Sequence, residues 1–402
     1  MLDPTGMNAR RFRNLRRIFV TAIFVLIALP SFAAPFAYLG GDNVIVVDTA
    51  TNTEVTTISP NGYAFDKVIV HPSGNFIYVP VSPTGRSNPA FLEVYNTSNN
   101  SLVTTIPIGI SPGASTIDPS GDFIYVQSLY AQIGGGPRII SVINTSTNTV
   151  AATIELDQTI DGAIHLAVHP TGHTLYVGAS TAGTITAFDT NTLQPTATIN
   201  VGSNFNDLAI HPSGQYIYTA GSTLKVIDTT TNSVTNTIAI NGNGKDIAVH
   251  PDGNTIYVSD FTGSSISVID TNTNTVTTTV STPFPTDLSV HPSGNFVYAT
   301  GFMTTTNGLQ GIVSVLNTAS NQIIDTISTS TIPYTIAVGP TPEPVGGTAA
   351  GISAISVTCT NATSGQSISI GLGNAAAWDC ESSGLQVNTG DSIEMVVNGT
   401  AD

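Results

Sequence analysis

A chain of 402 residues, 41% hydrophobic and only 9% charged, has room for one large domain and a small one. Its formal net charge of −16 sets 26 acidic against 10 basic residues and argues against nucleic acid and anionic lipid as partners. Little charge with much Ser, Thr and Asn could accompany disorder, but a strict internal repeat argues for a folded β protein.

The first 33 residues read as an export leader. Arg10, Arg11, Arg13, Arg16 and Arg17 form a basic stretch, Ile18–Leu29 is apolar, and Ser31 and Ala33 are the small residues expected before a cut at Ala34. The apolar run is short for a membrane span, so no stable membrane insertion is expected after cleavage. The alternative is an uncleaved anchor. Without the leader, five basic residues face 25 acidic ones, a net charge of −20. The expected location is secreted, periplasmic or cell-surface.

Two phrases alternate along residues 36–340. One is His-Pro-Ser/Thr/Asp-Gly-x-x-aliphatic-Tyr, at His71–Tyr78, His169–Tyr176, His211–Tyr218, His250–Tyr257 and His291–Tyr298. Asp118–Tyr125 is a variant and Gly339-Pro340 a truncated copy. The other is Asp/Asn-Thr-x-Thr/Ser-Asn, starting at Asp48, Asn96, Asn144, Asp189, Asp228, Asp270 and Asn317, with Asn99 once in the fourth place and Leu193 once replacing the final Asn. Between the phrases lie short runs rich in Val, Ile and Thr, separated by Pro, Gly and Asn turn chemistry. Each unit supplies four such runs, and a period near 40–50 residues of this kind predicts a β-propeller. The chain begins at the second run of a unit (Phe36–Leu39) and ends with a first run (Tyr334–Val338). This predicts seven blades closed by pairing of the two ends, which removes exposed edges.

The phrases Asp246–Gly253, Ile256–Ser259 and Ser265–Asn274 resemble the YVTN family of β-propeller repeat proteins, found in secreted and surface-layer proteins. The resemblance covers about three quarters of the chain. It implies a propeller of secreted or surface type, and no catalytic motif comes with it. His-Pro stands where many relatives have Ser-Pro.

Residues 341–351 read as a linker. Residues 352–402 predict a small β domain with strands at Ile352–Cys359, Ser367–Leu372, Leu385–Val387 and Ser392–Val397. It holds Trp378 and both cysteines, Cys359 and Cys380. In an exported chain these form one disulfide by expectation, worth about 3 kcal/mol to a marginal core.

Function is expected on the end of the ring where the loops vary, because the turns bearing the two phrases are nearly identical from unit to unit. Long loops at residues 80–90, 127–137 and 300–310 cluster on one side of the ring and offer Arg86, Tyr130, Arg138, Phe302 and Met303 as ligand-binding candidates. The position four before each repeated His is occupied in turn by Lys67, Ala114, His165, Asp207, Asp246, Asp287 and Thr335. Asp207, Asp246 and Asp287 on consecutive units would suit Ca2+, or each would accept backbone N–H groups where its strand begins. His165 with Asp161 is the best general-base pair, although no nucleophile or cofactor motif accompanies it. The five repeated histidines are expected to be structural. Two functions remain open: a non-catalytic binding scaffold for a cation, neutral glycan or protein partner, and a lactonase-like hydrolase or lyase with a metal or acid–base site in the channel.

Overall fold

The computed structural model describes residues 35–340, except 65–66, 83–88, 133–134, 158–159, 161, 203 and 307, together with the strands Ile355–Asn361, Ser367–Leu372 and Ile393–Asn398. The described residues are all β, arranged mainly as antiparallel four-stranded sheets in a β-propeller-like fold. In one unit Asp246–Val249, Thr255–Asp260, Ser265–Asp270 and Thr275–Ser281 pair in chain order. Strand-forming Val, Ile and Thr alternate with turn residues at each reversal, and the outermost strand alternates exposed and half-buried positions as a solvent-facing edge does.

Phe36–Gly40 pairs with Val44–Asp48 on one side and with Thr335–Val338 on the other, in the register Ala37 to Val338 and Tyr38 to Ala337. The strand near residue 335 thus completes the sheet that the strands near residue 36 begin, as expected from the order of the runs.

One region departs from the regular pattern. The second and third units share an eight-stranded sheet, joined by the 17-residue strand Ser101–Ile117. Its first half pairs with Pro89–Asn96 and its second half with Phe123–Tyr130. Gly109 permits this: a Cβ there would fall 2.5 Å from the Tyr130 carbonyl oxygen, so only a bare backbone can pass. Of the C-terminal strands, Ile355–Asn361 pairs with both Ser367–Leu372 and Ile393–Asn398. The fourth expected strand, Leu385–Val387, and Cys380, with the disulfide expected of it, lie outside the described residues.

Both faces of the repeated sheets carry apolar residues, so their core consists of clusters between successive units. Tyr176, Ile185 and Ile199 of one unit pack with Leu208, Ile217 and Ile227 of the next. Tyr298, Val313 and Val315 pack with Ala37, Leu39, Ile45 and Ile336. Tyr38, Val44 and Val46 pack in turn with Ile77, Val79 and Val81. The repeated Tyr is buried in every copy, from Tyr78 to Tyr298.

The two repeated phrases meet at one atom. The Gly253 carbonyl oxygen accepts a hydrogen bond from Thr271 Oγ1 of its own unit (2.7 Å) and faces His211 Nε2 of the preceding unit at 2.9 Å. Gly294 repeats this with Thr318 and His250, and Gly121 with Thr145 and His71. Nδ1 of His71, His211 and His291 accepts the backbone N–H two residues on, leaving Nε2–H as the donor in the neutral ring. Gly253 has no alternative there: its φ is +77° and a Cβ would sit 2.4 Å from His211 Nε2. The closing residue of the second phrase is left-handed in every unit, for example Asn274 at φ 53°, and Leu193 keeps that conformation at φ 57°. Its side chain packs against the cluster containing Ile154 and Phe188.

These contacts predict acid sensitivity. Burial holds His71 and His291 below the ordinary histidine value. The unfolded chain takes up protons as pH falls through about 6.5, while the folded rings resist. The stability they contribute is complete above that pH and declines as pH falls below it. The melting temperature should drop between pH 7.5 and 5.5, and His71→Gln should flatten the slope. A melting temperature that rises toward pH 5.5 would refute this account.

Candidate functional site

Where the inner strands begin, their first residues come together around a cavity of about 530 Å³. Its lining includes Lys67, His165, Asp207, Asp246, Asp287 and Tyr334. Three consecutive inner strands start with Asp because each carboxylate caps the next strand. Asp207 Oδ2 accepts the Ile247 N–H (2.9 Å), Asp246 Oδ2 the Leu288 N–H (2.8 Å) and Asp287 Oδ2 the Ile336 N–H (2.6 Å). Such charge-assisted bonds position the carboxylates and tie neighbouring units together.

The second oxygen of Asp287 faces Lys67 Nζ at 3.1 Å, and Nζ also lies 3.4 Å from the Leu288 carbonyl oxygen. Lys67 precedes the strand Ile69–Val70 and Asp287 begins Asp287–Val290, so the pair spans the sheet that Phe36–Gly40 and Thr335–Val338 share. Burial opposes the ammonium charge, but Asp287, Asp246 and Asp207 outweigh it and hold Lys67 above the ordinary lysine value. Asp207 Oδ1 faces His165 Nδ1 at 3.5 Å. Desolvation opposes the Asp207 charge, yet His165 and Lys67 keep its carboxyl below the usual range. Asp246 lies between these two paired acids. Desolvation and the neighbouring Asp287 charge raise it well above the usual carboxylate range, against the pull of Lys67.

The cation these carboxylates face is therefore the chain's own. Among the described residues no group of three or more His, Cys, Asp or Glu side chains is arranged to hold a metal ion. The expected carboxylate partner of His165, Asp161, lies outside the described residues; the carboxylate that His165 faces is Asp207. His165 packs on Phe205 with ring centroids 5.7 Å apart, and its Nε2 is buried without a hydrogen-bond partner among the described residues.

The loop candidates do not form one constellation. Tyr130 and Arg138 line a separate cavity of about 440 Å³ with Glu155 and Asp157, and Arg138 Nη1 donates to the Gly162 carbonyl (2.8 Å). Phe302 stacks on Phe284 at 5.2 Å and 14° and lies 5.9 Å from Phe261, forming a small aromatic cluster. Met303 is half-buried on the same strand, Phe296–Thr305. Arg86 lies outside the described residues. The sequence reading missed Lys67 and Tyr334 as site residues. The signal for Lys67 was present: it is the only lysine or arginine among the seven equivalent positions.

No protein-family model matches the chain, and no curated protein matches it by sequence. Solved structures do share its shape. A functionally unknown protein from Desulfotomaculum acetoxidans superposes with a TM-score of 0.60 at 15% identity, covering 76% of this chain and 99% of that one. Dihydro-heme d1 dehydrogenase NirN, in complex with DHE, superposes with a TM-score of 0.56 at 14% identity, covering 78% of each chain. At such identities the likeness shows the propeller-like fold alone. Among the described residues no helix is long and apolar enough to cross a membrane.

Asp287 is the residue on which this arrangement most depends. Asp287→Ala orphans the Ile336 N–H and strips Lys67 of its partner, and should cost about 2–4 kcal/mol in urea unfolding. Lys67 is more than a third exposed, so Lys67→Met should cost no more than about 1 kcal/mol. Equal effects of the two changes would refute the ranking.

Proposed function

We propose that the chain is an exported β-propeller of YVTN-like repeats, closed as a seven-bladed ring, that acts as a non-catalytic binding scaffold. Ring closure is supported by the pairing of Phe36–Gly40 with Thr335–Val338 and by core clusters that run from each unit to the next and from the seventh back to the first. Ending the chain at residue 330 should therefore abolish cooperative unfolding by heat. A truncated chain that still melts sharply would refute closure.

The observation that carries the binding reading is the cavity at the inner-strand starts. It is concave and polar, and its charges are largely matched within the chain, with Lys67 on Asp287 and His165 on Asp207. Carboxylates fixed by such pairs and by their bonds to neighbouring strands offer a rigid polar lining suited to holding a ligand. A cavity of this size lies in the range of small-molecule sites. The secreted or surface location rests on the leader.

One arrangement favours a second reading, a hydrolase or lyase with an acid–base site. Asp207 and Asp246 are pushed in opposite directions, and His165 turns Nδ1 toward a carboxylate, as a general base would. A thermal-shift screen of the purified protein with Ca2+, neutral sugars and lactones, run beside a lactone hydrolysis assay, separates the two. Stabilisation without turnover is expected. Hydrolysis that disappears in His165→Ala would overturn the scaffold reading in favour of the enzyme.

A further inference from the structure

The geometry points to a saccharide subsite in this cavity: one neutral, polyhydroxylated ring, seated against Tyr334 and hydrogen-bonded to Asp207 and Lys67. This inference rests on the binding reading and names its ligand class.

Charge comes first. A bound cation would have to displace Lys67 from Asp287, and an anion would meet Asp207, Asp246 and Asp287 together. Only a ligand without net charge leaves both internal pairs intact. Hydrogen-bonding capacity comes second. The lining offers an ammonium with more than one donor at Lys67, a second at the exposed Lys245, and acceptor oxygens at Asp207 and Asp246. Closely interleaved donors and acceptors match the hydroxyl groups of a sugar, each of which donates and accepts.

The independent observation is Tyr334. It is 57% exposed, the second most exposed large hydrophobic side chain among the described residues, yet it lines this polar cavity. The tyrosine that closes each copy of the first phrase is, by contrast, buried. An exposed aromatic face beside hydrogen-bonding groups gives the apolar C–H face of a sugar ring a surface to cover, while the carboxylates and ammonium meet its hydroxyls. About 530 Å³ admits one or two such rings.

The test is titration calorimetry of the full chain with the methyl glycosides of glucose, galactose, mannose and N-acetylglucosamine, and with glucuronate and glucosamine as charged counterparts. The expected result is binding of at least one neutral glycoside in preference to both charged sugars. Tyr334→Ala and Asp207→Asn should each weaken it about tenfold, as losing one ring face or one charged hydrogen bond does. Tyr334→Trp should retain it. Leu309→Ser, at an exposed residue that does not line the cavity, should leave it unchanged, and melting temperatures verify that each variant is folded. Absence of neutral-glycoside binding, preference for a charged sugar, or binding indifferent to Tyr334 and Asp207 would each overturn the inference. Stabilisation of the same protein by a non-carbohydrate ligand, without turnover, would then leave the broader binding reading standing.

Discussion

A single backbone carbonyl, repeated around the fold, connects what would otherwise be separate sheets. Each four-stranded unit is apolar on both faces and has no way to bury them alone, so its stability belongs to its interfaces. Apolar packing drives the units together but does not fix their register, because Val, Ile and Tyr side chains are tolerant of small slips. The turn glycine's oxygen supplies direction. One of its lone pairs is taken by the threonine of its own unit and the other faces the histidine of the unit before. Both repeated phrases converge on this bond pair, and this explains why His, Gly and Thr recur while the strand residues between them drift among Val, Ile, Leu and Ala.

Much of the architecture was legible because these contacts are local and periodic. The four strand-forming runs of each unit, the turns between them and the Asp or Asn side chains that bond to the turn backbone all follow from fixed spacings. The shared eight-stranded sheet was not legible. Only the three-dimensional approach of Tyr130 to Gly109 shows that the glycine lets one strand serve two units. The Lys67–Asp287 pair was hidden for a different reason. Its partners are 220 residues apart and belong to units that are not adjacent, so no period relates them.

The three aspartates illustrate how one sequence signal divides into two roles. Read as a row of carboxylates, they suit a divalent cation. In the fold each spends one oxygen on a neighbouring strand's N–H and so becomes part of the framework. The remaining oxygens differ only because their surroundings differ: Lys67 meets Asp287 and His165 meets Asp207, while Asp246 lies between them. Identical residues at equivalent positions thus acquire distinct protonation behaviour from neighbours that break the repeat.

That contrast locates the site by a general argument. A repeat fold generates equivalent positions, and equivalence is incompatible with recognising an asymmetric ligand. Recognition needs a place where the repeat is broken without loss of the contacts that maintain it. The inner-strand starts meet both conditions. Lys67, Ala114, His165 and Thr335 replace the aspartate at four of the seven positions, while the capping bonds of the other three continue to tie strand to strand. At the turn end the His–Gly–Thr contacts recur at Gly121, Gly253 and Gly294, and changing one would cost an interface. Tyr334 stands next to Thr335–Val338, the strand that completes the sheet begun at Phe36–Gly40. The chemistry of the cavity is therefore concentrated where the fold has a structural reason to be irregular.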